Sequence, residues 1–133
     1  MTVHGLHHVN IRVPAEEVLR LRDFYCEVVG LKEGPRPPFR APGIWLYADD
    51  QAVVHLSETR ADESMPPLPE RRSALNHVAL RCTGLEDFVA RLESAQIEYR
   101  LSEVPLTAER QLFFRDPSGV GVELIFPLHG AET

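Results

Sequence analysis

Four side chains of metal-binding type recur at matched intervals in this chain. His77 follows His8 by 69 residues, and Glu123 follows His55 by 68. Around them the sequence repeats itself. Leu6-His7-His8-Val9-Asn10-Ile11-Arg12-Val13 returns as Leu75-Asn76-His77-Val78-Ala79-Leu80-Arg81-Cys82, and Val53-Val54-His55-Leu56 is answered by Gly121-Val122-Glu123-Leu124. Imidazole nitrogens and a carboxylate are donors that Zn, Ni, Fe, Co and Mn all accept, so the set points to one divalent metal site without naming the ion. A single strand histidine is more often a hydrogen-bonded structural residue than a ligand; four donors at related positions are harder to explain by packing. Glu123 is the most telling, because it stands in the apolar run Val120-Gly-Val-Glu-Leu-Ile-Phe126. A carboxylate taken out of water must be paired or bind metal. His4, His7 and His129 have no such relation and read as solvated or local structural residues.

The elements that would carry these residues follow from periodicity. Residues 6–13 alternate in the strand period, with Val9, Ile11 and Val13 on one face and His8, Asn10 and Arg12 on the other. Pro14 suits a helix start, Val18, Leu21, Tyr25 and Val28 recur at helical spacing over 16–29, and Gly30 is placed to close that helix. The prolines of 31–43 allow only a short or edge strand there, and strands are expected near 44–48 and 52–57. The polar, proline-rich stretch 59–74, with Glu70-Arg71-Arg72, reads as a linker. A second strand, 75–82, leads to Thr83, which with Glu86 forms a capping box for a helix whose buried stripe is Leu85, Phe88, Val89, Leu92 and Ala95. Strands near 97–102, 110–115 and 120–126 complete the copy, the last two joined by the turn Asp116-Pro-Ser-Gly119. The expectation is an α+β chain of two tandem βαβββ modules, 5–58 and 75–127, joined by the linker.

One face of each strand must bury against its module's helix. With the valines, isoleucines and leucines on that side, His8, His55, His77 and Glu123 all fall on the opposite face, together with Asn10, Arg12 and Arg81. The arginines are either paired locally or anchor an anionic or oxygen-rich substrate. Trp45, Tyr47 and Phe113 read as core, with Trp45 and Phe113 also candidates to line a substrate pocket.

Composition bounds the rest. With 14 basic and 20 acidic side chains the net charge is −6, which argues against a nucleic-acid surface. No apolar run approaches the roughly 20 residues of a membrane span, and no signal-peptide pattern opens the chain. Cys26 and Cys82 read as reduced, buried thiols of a cytoplasmic protein, with a disulfide or a catalytic cysteine as the alternative.

The motifs His8-Val-Asn-Ile-Arg-Val13, Phe24-Tyr25 with Gly30-Leu31, Asn76-His77-Val-Ala-Leu-Arg81, and Asp116-Pro-Ser-Gly with Glu123 resemble the vicinal oxygen chelate superfamily. That superfamily includes glyoxalase I, extradiol dioxygenases, methylmalonyl-CoA epimerase, fosfomycin-resistance thiol transferases and bleomycin-resistance proteins. The resemblance spans essentially the whole chain. It implies two βαβββ modules curling into a cup-shaped, partly open mixed barrel with helices outside, around a divalent metal, often with modules paired across a homodimer. It implies a small-molecule substrate with vicinal oxygens and a lyase, isomerase or epimerase reaction, with Glu123 as ligand and base. Extradiol dioxygenases resemble the chain at two histidines and Glu123, but their pattern carries a tyrosine where Phe113 stands and a histidine where 104–110 has none. Glyoxalase I and the epimerase carry Glu or Gln where His55 stands, and Arg12 occupies the place where glyoxalase I holds a glutathione carboxylate. A small-molecule (antibiotic) binding protein of the same fold is the reading outside catalysis.

Overall fold

Two compact units, Met1–Pro66 and Pro67–Thr133, make up the chain; the structure, a computed structural model, describes residues 1–2, 4–59, 75–104 and 109–127. The first unit contains β1 (Val9–Val13), α1 (Ala15–Phe24), a π-helical turn (Tyr25–Val29), β2 (Lys32–Gly34), β3 (Gly43–Ala48) and β4 (Gln51–Glu58). The second contains β5 (His77–Arg81), α2 (Leu85–Ser94), β6 (Arg100–Glu103), β7 (Arg110–Arg115) and β8 (Gly121–Phe126). Each is an open four-stranded sheet, ordered β1-β4-β3-β2 and β5-β8-β7-β6. The first and last strand of each unit run parallel, and the other ladders are antiparallel. The chain is therefore an α+β protein of two βαβββ modules. The linker expected at 59–74 lies, from residue 60 onward, outside the described residues, as does His129.

Alternation decides which face is buried. In β1 and β4 the residues Ile11, Val13, Val54 and Leu56 are buried, and α1 packs on β3 and β4 through the side that carries buried Val18 and Leu21. In the second unit Leu112, Phe114, Val122, Leu124 and Phe126 are buried, and Phe88 of α2 meets Phe126 edge-on at 5.8 Å. Each such leucine or phenylalanine stabilises its unit by about 2 kcal/mol.

Several local expectations are corrected. The helix expected over 16–29 is α-helical only to Phe24; Gly30 N–H then bonds Tyr25 O at 3.0 Å, an i→i+5 bond. The extra residue moves the buried stripe by one, so Val29 rather than Val28 is buried. Gly30 closes the turn at φ 98, as its position suggested. Thr83 does not cap α2. Gly84, at φ 84, holds that position with no side-chain cap bond, because the left-handed backbone there suits glycine. Ala95 is exposed rather than part of the α2 stripe, and Leu92 is its one buried residue among those described. β6 starts at Arg100 rather than 97, after Gln96 turns the chain at φ 57. Cys26 and Cys82 are free and half-buried rather than buried. Trp45, Tyr47 and Phe113 are not core: each is only half-buried and shares the face opposite the helix.

Candidate metal centre

In the first unit His55 sits mid-strand in β4, with Trp45 as its direct partner across the antiparallel ladder and Asn10 across the parallel one. Its ring is sandwiched. Trp45 stacks on one side at 4.2 Å and 12°, and His8 on the other at 3.8 Å and 13°. His8 is exposed and lies one residue ahead of β1, not inside the strand as expected. His8 and His7 share a hydrogen bond between their Nδ1 atoms at 2.9 Å. His55 Nε2 donates to Ala52 O at 3.1 Å, which leaves Nδ1 as its lone-pair nitrogen. Burial, and secondarily the nearby charge of His8, pushes the His55 imidazole below its ordinary value, toward the neutral form that binds metal. Asn10 Oδ1 accepts from Ser57 Oγ at 3.2 Å, and Arg12 Nε reaches the same hydroxyl at 3.5 Å.

The second unit presents the other two donors already oriented. His77 opens β5, and Glu123 lies diagonally across the ladder on β8, where its side chain is mostly buried. His77 Nε2 stands 3.3 Å from Glu123 Oε2. His77 Nδ1 donates to Asn76 Oδ1 at 2.8 Å, so in the neutral ring Nε2 carries the lone pair. Gln111 Nε2 donates to Glu123 Oε1, which leaves Oε2 as the oxygen turned to His77. Two electron-rich atoms thus face each other at close range, and only a proton or a cation between them makes that favourable. Phe113, the ladder partner of Glu123, meets the His77 ring edge-on at 5.8 Å.

The donors suit a divalent ion to different degrees. With metal–nitrogen and metal–oxygen bonds of about 2.1 Å, neighbouring ligands stand roughly 3.0–3.4 Å apart, which the His77–Glu123 pair matches. The His8–His55 pair does not: an imidazole lone pair lies in the ring plane, and two nearly parallel planes do not meet at one ion. One of the two rings must turn for both to ligate. Among the described residues no cluster of three or more His, Cys, Asp or Glu side chains is poised to hold a metal; the donors occur as pairs, one in each unit.

Of the other residues singled out from sequence, Asn10 and Arg12 meet at Ser57, Trp45 joins the His55 stack, Phe113 joins the His77–Glu123 pair, and Arg81 is exposed on β5. Asn76, Gln111 and Ser57 were missed. Asn76 was legible as a neighbour of His77, and Gln111 shares strand parity with Phe113 on the ligand-bearing face.

The chain thus repeats one βαβββ module, and its second copy carries the His77–Glu123 pair. The profile of the Glyoxalase/Bleomycin resistance protein/Dioxygenase superfamily matches residues 5–124, and the chain belongs to that superfamily. Among curated relatives, it is 29% identical to the uncharacterized protein YaeR of Escherichia coli (strain K12), over 90% of this chain and 93% of that protein. It is 28% identical to Glyoxylase I 4 of Arabidopsis thaliana, over 90% of this chain and 69% of that protein. The glyoxylase/bleomycin resistance protein/dioxygenase domain from Frankia sp. EAN1pec shares the fold with a TM-score of 0.71 at 21% identity, over 97% and 96% of the two chains.

Proposed function

We propose that the protein is a metal-dependent enzyme of glyoxalase type, an isomerase, epimerase or lyase acting on a small substrate with two neighbouring oxygens. The observation that carries this reading is the His77–Glu123 pair, spaced as two ligands of one ion and oriented by Asn76 and Gln111. In this proposal His8, His55, His77 and Glu123 are the ligands of a divalent ion (Zn, Ni, Fe, Co or Mn), and the protein acts as a homodimer. The relative named Glyoxylase I 4 agrees with the reaction type.

A bound divalent ion supplies Lewis-acid stabilisation of negative charge developing on a substrate oxygen. The chain's own residues do the rest. The Asn76 contact fixes His77 in the tautomer that presents Nε2. The Gln111 amide holds Glu123 by Oε1, so that Oε2 faces the ion and, once released from it, would take a proton from a carbon beside a carbonyl. Asn10 and Arg12, on the open face of the first unit, serve as substrate contacts, with Arg81 and Trp45 in the same role.

Extradiol ring cleavage is less well supported, because Phe113, the residue opposite Glu123, offers no hydroxyl for proton handling. The test is solvent deuterium exchange beside the carbonyl of small α-hydroxy ketones and thiol adducts of 2-oxoaldehydes, in the metal-loaded protein. The proposal expects exchange that is lost in Glu123→Gln. Exchange that persists in that variant would sink it.

A further inference from the structure

The open face of the second unit is far more basic than the chain. On the strands, the side that carries Glu123 also carries Arg81 of β5, Arg100 of β6 and Arg115 of β7, and Glu123 is its one carboxylate. Three guanidiniums against one acid is the reverse of the whole chain, where 20 acidic residues outnumber 14 basic ones. Two of these arginines converge on one ring. The guanidinium carbons of Arg100 and Arg115 lie 5.4 and 5.7 Å from the Phe113 ring centroid. Arg100 is the ladder partner of Phe113, and Phe113 is the ladder partner of Glu123, so the three side chains form one rung. Arg115 is fixed from behind by donating to Gly119 O at 3.1 Å.

An aromatic ring attracts each cation but does not neutralise it, and two like charges drawn to one ring repel each other. Among the described residues neither arginine has a carboxylate partner. An anion beside Phe113 would satisfy both, and the guanidinium fork matches carboxylate and phosphoryl oxygens alike.

We propose that Arg100 and Arg115, both drawn to the Phe113 ring, bind an anionic carboxylate or phosphoryl group that the substrate carries apart from its two neighbouring oxygens. In naming the ligand a substrate this rests on the metal reading above; the anion site itself does not.

Three probes separate the two ideas: catechol, 3,4-dihydroxybenzoate and 3,4-dihydroxyphenylphosphonate, titrated calorimetrically into the zinc-loaded protein. All offer the same neighbouring oxygens, and only the last two carry a remote anion. Catechol binding alone tests the metal reading. The proposal expects at least one charged probe to bind about tenfold or more tightly than catechol, with the advantage reduced by salt and lost in Arg100→Gln and in Arg115→Gln. Whichever charged probe binds more tightly identifies the preferred anion. Arg100→Gln leaves the Gly119 contact intact, so its result stands even if Arg115→Gln disturbs the turn. Equal affinities for the three probes, or an advantage kept in both variants, would overturn the proposal while leaving the metal reading untouched. If no probe binds, the metal reading fails, and inorganic phosphate titrated into the metal-free protein decides. Amide shifts around Phe113 that vanish in Arg100→Gln support the anion site; their absence overturns it.

Discussion

Gly121 stands directly opposite His77 in the parallel ladder, and a Cβ placed on it would lie 2.8 Å from the His77 Cβ. The same atom would lie 2.6 Å from Asn76 O and 2.9 Å from Phe113 Cζ. The missing side chain is what lets His77 and Phe113 lie close beside Glu123. In the first copy the corresponding residue is Val53, so the glycine is specific to the half that presents the His–Glu pair. Gly121→Ala should displace His77, destabilise the protein by about 1–3 kcal/mol and weaken metal binding. Thermal melts and metal titration of the variant check this, and a wild-type affinity would mean that His77 does not need that space.

Gln111 has a different role, since it touches Glu123 and not the proposed ion. Removing the amide in Gln111→Ala frees the carboxylate to rotate and should weaken metal affinity by roughly 10–100-fold, the usual cost of losing an outer hydrogen-bond partner. Competition against a chelator of known affinity measures it. Unchanged affinity would show that Oε1 needs no anchor.

The stack around His55 has a pH signature. Burial and the neighbouring His8 hold its imidazole below the ordinary value of 6.5. A depressed folded-state pKa contributes stability above the unfolded value, and that contribution is lost as pH falls below it. Nuclear magnetic resonance should find the His55 midpoint below 6.5 in the metal-free protein. In Trp45→Ala, water reaches the ring and the midpoint should rise toward 6.5. No change on removing Trp45 would mean that the stack does not shield His55.

Cys82 marks the alkaline limit. Burial raises its thiol from 9.0 to about 11. The raised value means that its stability contribution is complete below pH 9 and is lost as pH rises toward about 11. Cys82→Ala should therefore lose less stability than the wild type between those limits. Denaturant midpoints at pH 8 and pH 10.5 check this; parallel losses would contradict it.

How far the sequence could be read depended on the kind of physics involved. β7 was expected at 110–115 and is Arg110–Arg115, because a short apolar run, Leu112-Phe113-Phe114, stands there and a turn signal follows. The turn forms as its residues suggest: Asp116 Oδ1 accepts from Ser118 N, Ser118 Oγ and Val120 N at 2.8, 2.7 and 3.0 Å. The shared face of Asn10, Arg12 and His55 in the first unit was legible from the strand period, as was the face of Glu123 in the second. What was not legible depended on backbone detail. A π-turn looks like an α-helix until its buried stripe slips by a residue, and Gly84 displaced Thr83 from the cap through a backbone angle that no pattern announces. Side-chain pairing was harder still. Nothing in the letters shows that His55 would lie flat between His8 and Trp45, or that Gln111 would reach diagonally to Glu123.

The most direct test of the metal-centre account is the metal content and affinity of the full chain and its Glu123→Gln variant. The protein is stripped with chelator, titrated with zinc, nickel and manganese, and checked by elemental analysis after gel filtration. The account predicts one ion per chain bound at micromolar or better affinity, weakened about 100-fold or more in Glu123→Gln, beyond the cost of an outer partner. No binding at micromolar concentrations, or equal binding in the variant, would contradict it.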